Sequence, residues 1–128
     1  MVIPVLRGRT ALYEHYQARA VAEGRPVLLP SIVIHELWYG VERGTQRDWN
    51  RTVLERYLAG PVGTLPFGDD DAAEAARLRA LLERAGTPIG SYDVLIAAQA
   101  SRRAWTVATG NVREFSRVPR LAVEDWTV

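Results

Sequence analysis

Three polar residues in this chain of 128 residues stand where their type and position could support chemistry: Glu36, Asp93 and Asn111. The composition removes most other options. The chain has no cysteine and no lysine, which excludes thiol nucleophiles, thiolate zinc sites, lysine Schiff bases and lysine-dependent phosphate loops. Two histidines, His15 and His35, are too few for a histidine-rich metal site. Any chemistry must therefore rest on carboxylates, hydroxyls or arginines.

Glu36 stands on a predicted helix that is apolar almost all round. The core-facing positions have helical spacing and are Ile34, Leu37, Trp38 and Val41. The surface neighbours of Glu36 are also mostly apolar: Ile32, Val33, Tyr39 and Gly40. An ionised carboxylate in such surroundings needs a partner or a metal, because burying an unpaired charge is costly. Two interpretations stay open, a site carboxylate, or a glutamate that pairs with a buried arginine or lines an interface.

Asp93 is predicted to lie in the first turn of a buried helix that begins near Ser91 and ends near Ala104. The helix dipole favours an acid in this position, which by itself accounts for the residue. The preceding loop favours a functional interpretation instead. Pro88 and Gly90 fix a turn that sets Asp93 at the mouth of a buried helix.

Asn111 follows an apolar strand predicted over residues 105–109, at the edge where open parallel α/β sheets bind their ligands. The alternative is a turn asparagine after Gly110. Glu114, three residues further along, either joins the same site or begins a short helix with Phe115. The surrounding stretch is basic and predicts either a phosphate-contacting rim beside the carboxylates or solvated helix ends. Its arginines are Arg102, Arg103, Arg113, Arg117 and Arg120.

Strands and helices alternate along the chain and predict a single α/β domain over residues 1–128. Helices are predicted over residues 10–23, 31–43, 45–60, 72–85 and 91–104, and strands over 27–29, 61–67, 105–109 and 121–123. Helices rather than two-residue turns separate the strands, so we expect a mainly parallel sheet in a three-layer α/β/α sandwich. Ser31 and Ser91 are the expected N-caps of their helices.

The formal net charge of +1 gives the chain no general attraction to nucleic acid. The longest apolar stretch, residues 27–41, is interrupted by Pro30, Ser31, His35 and Glu36, so we expect no membrane span. The first residues lack the features of a secretory signal. These patterns predict a cytoplasmic protein.

Three segments together resemble the PIN-domain family, specifically the VapC-type toxins of bacterial toxin-antitoxin pairs. They are Leu29-Pro-Ser-Ile-Val-Ile-His-Glu36-Leu-Trp-Tyr-Gly40, Gly86-Thr-Pro-Ile-Gly-Ser-Tyr-Asp93-Val-Leu-Ile-Ala-Ala98 and Thr109-Gly-Asn111-Val-Arg-Glu-Phe115. The resemblance covers nearly the whole chain in the correct order. It implies a parallel sheet with helices on both sides, in agreement with the pattern of elements.

The resemblance also implies a function, a metal-dependent endoribonuclease that cuts RNA, in many members structured RNA such as tRNA. Such proteins gather acidic groups around Mg²⁺ or Mn²⁺. Glu36 and Asp93 match two of the family's acids, and Asn111 matches a position that holds Asp or Asn. The implied partners are an RNA substrate, a VapB-type antitoxin that neutralises the toxin, and a second copy of the chain in a homodimer.

One family feature is absent from the sequence. The family begins with a central strand ending in an Asp-Thr-Asn-like motif, whose Asp is its most characteristic metal ligand. Here the chain starts with Met1-Val-Ile-Pro-Val-Leu-Arg-Gly8, which resembles the segment after that motif. We therefore expect the first central strand and its aspartate to be missing, through either a misplaced start codon or a truncated copy. The loss of that ligand should weaken the metal site.

Two other functions are consistent with the same residues. A truncated, catalytically inactive PIN-like module would bind only its antitoxin partner. A phosphate-accepting signalling domain also clusters acids at a sheet edge, but it needs an Asp at a strand end and usually a lysine. This chain offers only Asn111 at that place and has no lysine, which favours the nuclease.

Overall fold

A computed structural model describes residues 1–6 and 10–127. The fold is of the predicted α/β class, with parallel strands and helices packed around them. In chain order the elements are β1 (Val2–Val5), α1 (Thr10–Ala22), β2 (Leu28–Pro30), α2 (Ser31–Arg43), α3 (Arg47–Leu58), β3 (Gly63–Leu65), α4 (Asp69–Arg84), α5 (Ser91–Arg103), β4 (Thr106–Thr109), α6 (Val112–Phe115) and β5 (Ala122–Asp125).

The strands form two parallel sheets that meet at β1. One sheet has the order β1-β4-β5 and the other consists of β2 and β3. A single parallel bridge joins Val2 to Val27, and the Val2 N–H donates to the Pro26 carbonyl at 2.9 Å. The combined order β3-β2-β1-β4-β5 therefore places β1 in the middle of the molecule.

Strand β1 corrects the expectation that the first central strand is missing. Val2–Val5 pairs in register with Thr106–Thr109 of β4, and all four of its residues are buried. The run is short and contains Pro4, which disfavours a strand assignment from sequence. It forms because it buries apolar side chains while satisfying the backbone groups along one side of β4. The residue after β1 is Leu6, which offers no carboxylate at the end of this strand.

Pro4 explains why the sheet divides into two. The Val2 N–H points towards β2, and alternate residues of a strand direct their backbone groups to the same side. Pro4 therefore faces β2 as well, and it has no N–H to donate. Hydrogen bonding between β1 and β2 stops after Val2, whereas pairing with β4 continues to Val5.

The predicted helices form close to their expected bounds, but the expected caps of α2 and α5 are wrong. Pro30 and Gly90 occupy the N-cap positions in extended conformations, and Ser31 and Ser91 are the first helical residues. The Ser31 hydroxyl donates to the Leu65 carbonyl at 3.5 Å instead. Within the described residues, no helix has the length and apolar character needed to cross a membrane.

A buried carboxylate joins helices α4 and α5. Asp71 is 1% exposed, and its Oδ1 accepts hydrogen bonds from Arg102 at 2.6 Å and from Arg103 at 2.8 Å. Its Oδ2 accepts the Gly68 N–H at 3.0 Å, which ties the carboxylate to the start of α4. Burial alone would raise the pKa of Asp71. The hydrogen bonds from Arg103, Gly68 and Arg102 outweigh that effect and hold the pKa well below its ordinary value.

We expect Asp71→Asn to lower the free energy of unfolding at neutral pH by about 2–3 kcal/mol. This is less than the full cost of breaking a buried ion pair, because both arginines keep some contact with solvent. In the wild type, this contribution is present above the unfolded-state pKa of about 3.9 and is lost as the pH falls towards the lower folded-state pKa. Urea denaturation between neutral and acidic pH measures both effects.

Asp70→Asn is the matched control for this prediction. The Asp70 side chain is largely exposed and lies 3.6 Å from Arg102, so its loss should change the unfolding free energy by less than about 0.5 kcal/mol. An identical acid dependence of stability in the wild type and Asp71→Asn would contradict the role assigned to Asp71.

Candidate functional site

Asp93 lies in the first turn of α5, where its side chain is almost fully buried at 3% exposed. Gly90 precedes the helix and its carbonyl accepts the Val94 N–H at 3.0 Å. The approach loop therefore does set Asp93 at the entrance of a buried helix. Nearly complete removal from water makes the interactions of this carboxylate stronger than those of a surface acid.

Two carboxylates converge on Gly90. Asp93 Oδ2 and Glu114 Oε1 each lie 3.3 Å from the position that a Cβ on Gly90 would occupy. The two carboxylate oxygens are therefore separated by at most twice 3.3 Å. Gly90 has φ −57° and ψ 151°, angles that any residue adopts. A side chain at this position would therefore press on the two carboxylates, whereas the backbone conformation itself does not call for glycine.

Glu114 connects this loop to the end of β4. Its Oε1 accepts the Gly90 N–H at 2.5 Å, and its Oε2 accepts a hydrogen bond from Asn111 Nδ2 at 2.5 Å. The Asn111 N–H donates to the hydroxyl of buried Thr109, the last residue of β4, at 3.0 Å. Asp93 and Glu114 thus lie against Gly90, and Glu114 links Gly90 to Asn111 at the carboxyl end of β4.

Glu114 both joins the site and lies on a short helix. It belongs to α6, which Phe115 anchors through a fully buried ring. The sequence signal for its role is its spacing from Asn111, because side chains three residues apart share one face of a helical turn. The two interpretations of Glu114 are therefore compatible, since its two hydrogen bonds are made from within the helix.

Glu36 lies on α2, beside the beginning of α5. The rings of His35 and Tyr92 meet edge to face with their centroids 5.7 Å apart, so the residue before Glu36 contacts the residue before Asp93. The side chain of Glu36 is half-buried. Among residues 1–6 and 10–127, no three His, Asp or Glu side chains form a group able to hold a metal ion. Helices α2 and α5 are therefore close to each other at this point. That Glu36 and Asp93 share an ion is a proposal.

The core-facing side of α2 differs slightly from the predicted one. Its fully buried residues are Val33, Leu37 and Val41, and Ile34 and Trp38 are only partly buried. The predicted stripe begins one residue too late, because Ile34 is as apolar as Val33 and the helical spacing accommodates both.

Four of the five arginines in the arginine-rich segment fall into two groups. Arg102 and Arg103 lie at the C-terminal end of α5, about 15 Å along the helix from Asp93. They pair with Asp71. The predicted phosphate-contacting rim beside the site carboxylates is therefore wrong for these two arginines. Arg113 is exposed beside Glu114. Arg117 donates to the Pro88 carbonyl at 2.8 Å and lies against the approach loop.

The donor chemistry of the site fits a divalent metal. Carboxylate and amide oxygens are the ligands that Mg²⁺ and Mn²⁺ take in proteins. Asp93 supplies a carboxylate beside Gly90, Asn111 supplies an amide bonded to Glu114, and Glu36 offers a carboxylate from the neighbouring helix. Glu114 uses both its oxygens to bind Gly90 and Asn111, which makes it a positioning residue.

Acidic and amide side chains at the carboxyl edge of a parallel sheet place this chain among α/β proteins that bind ligands at the ends of their strands. Similarity to known proteins identifies the family. The model of the PIN domain matches residues 3–121, and the chain belongs to the PIN-domain family. It is 35% identical over 113 residues to the tRNA(fMet)-specific endonuclease VapC of Salmonella typhimurium, covering 88% of this chain and 85% of that protein.

Solved structures agree with this assignment. VapBC2 from Rickettsia felis, bound to a DNA fragment from its promoter, matches with a TM-score of 0.84 and 28% identity over 98% of this chain and 99% of that one. DNA-bound VapBC from Salmonella typhimurium matches with a TM-score of 0.82 and 33% identity over the same shares. The resemblance to VapC-type toxins drawn from the three sequence segments is thereby confirmed.

We expect Gly90→Ala to disturb the site without straining the backbone. The added Cβ would lie 3.3 Å from both Asp93 Oδ2 and Glu114 Oε1, so one carboxylate must move, at a cost of about 1 kcal/mol in unfolding free energy. Gly40→Ala is the control, because nothing lies within 4 Å of its Cβ position on helix α2. It should gain up to about 1 kcal/mol. Thermal unfolding that shifts both variants in the same direction would contradict this account.

Proposed function

We propose that this protein is a divalent-metal-dependent endoribonuclease toxin of the VapC type, which hydrolyses RNA phosphodiester bonds. The supporting observation is that Asp93 and Glu114 lie against Gly90 and that Glu114 links this loop to Asn111 at the carboxyl edge of the sheet. Open parallel α/β sheets bind their ligands at this edge, where the strand order reverses. The names of its relatives, which include tRNA(fMet)-specific endonuclease and ribonuclease, support the same reaction.

In this proposal Asp93, Asn111 and Glu36 hold Mg²⁺ or Mn²⁺. Once bound, the ion would make a water molecule more acidic and offset the charge that develops on the phosphoryl oxygens. Glu114 holds the Asn111 amide and the Gly90 backbone in fixed positions. Because Asp93 is buried, bulk water competes little with the ion for its carboxylate oxygens. Arg113 and Arg117 provide positive charge beside the site for the RNA backbone.

The residue after β1 sets a limit on this site. Leu6 stands directly after the strand, and its N–H donates to the buried Tyr13 hydroxyl at 2.7 Å. The family motif would provide an aspartate near this point. Leucine supplies no oxygen ligand, so in this proposal Asp93, Asn111 and Glu36 are the side chains that would hold the ion.

The proposed partner is a VapB-type antitoxin. VapBC structures resemble this chain, as does a further member of the VapBC family of toxin-antitoxin systems, and such a partner would neutralise the nuclease. A homodimer and a cytoplasmic location belong to the same proposal. The alternative function is a PIN-like module that binds its antitoxin and cuts no RNA, and the nuclease assay separates the two.

We expect Asp93→Asn to abolish RNA cleavage by this chain at millimolar Mg²⁺ or Mn²⁺, because it removes the buried carboxylate of the site. EDTA should abolish cleavage by the wild type. Asp48→Asn, the same change on an exposed residue of α3, is the control and should leave the rate unaltered. The assay follows labelled RNA on denaturing gels across a metal titration.

Residual cleavage at the wild-type rate in Asp93→Asn, or in EDTA, would refute the metal-dependent nuclease. Antitoxin binding without any cleavage over the whole metal titration would instead support the inactive module. Calorimetry with Mg²⁺ alone gives an independent result, because the module should take up no metal.

We expect Asn111→Asp to destabilise the protein without metal and to increase its response to metal. The new carboxylate would replace the amide that donates to Glu114 at 2.5 Å, so two negative charges would meet. A divalent cation relieves that repulsion. The melting temperature of the variant should therefore lie below that of the wild type in EDTA and rise more steeply with Mg²⁺. Equal Mg²⁺ responses would show that Asn111 does not face the ion.

A further inference from the structure

Tyr92 is an exposed aromatic residue beside a buried acid. Its side chain is 51% exposed, while the next residue, Asp93, is 3% exposed. Few large hydrophobic side chains of the described residues are exposed to this degree, and the others are Met1, Val21, Tyr39 and Trp49. Packing within the chain therefore does not account for a large ring at this position.

Among the described residues, the one aromatic ring paired with that of Tyr92 is that of His35. His35 meets it at 62° between ring planes, with centroids 5.7 Å apart. Edge-to-face contacts of this kind fix the orientation of a ring while leaving much of its area open. Tyr39 differs in this respect, because the Arg43 guanidinium lies 5.6 Å from the centre of its ring. An aromatic ring with a fixed orientation and open surface provides a stacking platform.

The charges around Tyr92 favour a nucleic acid as the occupant. Arg113 is exposed beside Glu114, and Arg117 lies against the loop that leads to Tyr92 through its bond to Pro88. Cationic side chains next to an open aromatic ring are the combination that binds single-stranded nucleic acid, with arginines near phosphates and bases on rings.

We propose that Tyr92 stacks against a nucleobase of single-stranded RNA next to the phosphate that is cut, and so positions the substrate. The inference rests on the nuclease activity proposed above and adds a residue that selects unpaired nucleotides. Tyr92 contacts a base and takes no part in bond cleavage. Any base can stack on the ring, so the residue selects for unpaired RNA and not for a sequence.

Binding experiments test the role of Tyr92 without cleavage. The probe is a fluorescein-labelled single-stranded RNA, and its affinity is measured by anisotropy in the Asp93→Asn background. Tyr92→Leu should weaken binding roughly tenfold, within the range known for one base-aromatic stack, and Tyr92→Phe should keep the affinity of the parent. Trp49→Leu removes another exposed ring, on α3, and should have no effect. Melting temperatures should stay unchanged, because both rings are exposed.

An abasic oligonucleotide of the same length provides the second readout. Tyr92→Leu and its parent should bind it equally, because it offers no base to stack. The slope of affinity against salt should also stay the same, since no phosphate contact is removed. A purely structural role for Tyr92 would instead change the binding of both oligonucleotides.

The possible failures are distinguishable. Equal affinity of Tyr92→Leu and its parent for RNA, in a protein whose cleavage depends on Asp93, would overturn the stacking role and leave the nuclease intact. Equal losses in Tyr92→Leu and Trp49→Leu would also overturn it. Lost antitoxin binding with unchanged RNA affinity would assign the ring to the protein partner. Absence of both cleavage and RNA binding in the wild type would remove the nuclease and the stacking role together.

Discussion

The parallel pairing of β4 on both its sides is the constraint on which the rest of the structure depends. β1 fixes one side of Thr106–Thr109 and β5 fixes the other in matching register. The end of β4 is therefore set by two ladders of backbone hydrogen bonds. Asn111 is positioned by this end, and Glu114 then joins Asn111 to Gly90. The location of the site is thus determined by backbone pairing before any side chain is considered.

Helix α5 carries Asp93 and is held at both ends. At its C-terminal end Arg102 and Arg103 bind the buried Asp71 of α4, and at its N-terminal end Gly90 binds Glu114. Small alanine side chains between these ends are fully buried and let the helix lie close to its neighbours. An ion pair about 15 Å along the helix from Asp93 therefore contributes to the position of that carboxylate.

Much of this arrangement could be predicted from the sequence. Helical spacing locates α2, α4 and α5, and the rule that ligands bind at strand ends locates Asn111. Strand β1 escapes prediction, because a short run containing a proline carries little strand signal. The arginines are misplaced, because sequence proximity to Asn111 does not reveal that α5 carries Arg102 and Arg103 away from it. Glu114 accepts one hydrogen bond from Gly90 and one from Asn111. The bond to Gly90 is a tertiary contact that no local sequence pattern encodes.

The missing N–H of Pro4 has a mechanical consequence. The line where β1 and β2 lose their hydrogen bonds runs through the middle of the molecule, and the acidic residues are distributed across it. Glu36 is carried by the half that contains β2, whereas Asn111 is carried by the half that contains β4. Across this line helices α2 and α5 meet through side chains, including the edge-to-face pair of His35 and Tyr92, and not through a backbone ladder. The relative placement of Glu36 and Asn111 therefore rests on the packing of side chains across this line and not on backbone hydrogen bonds.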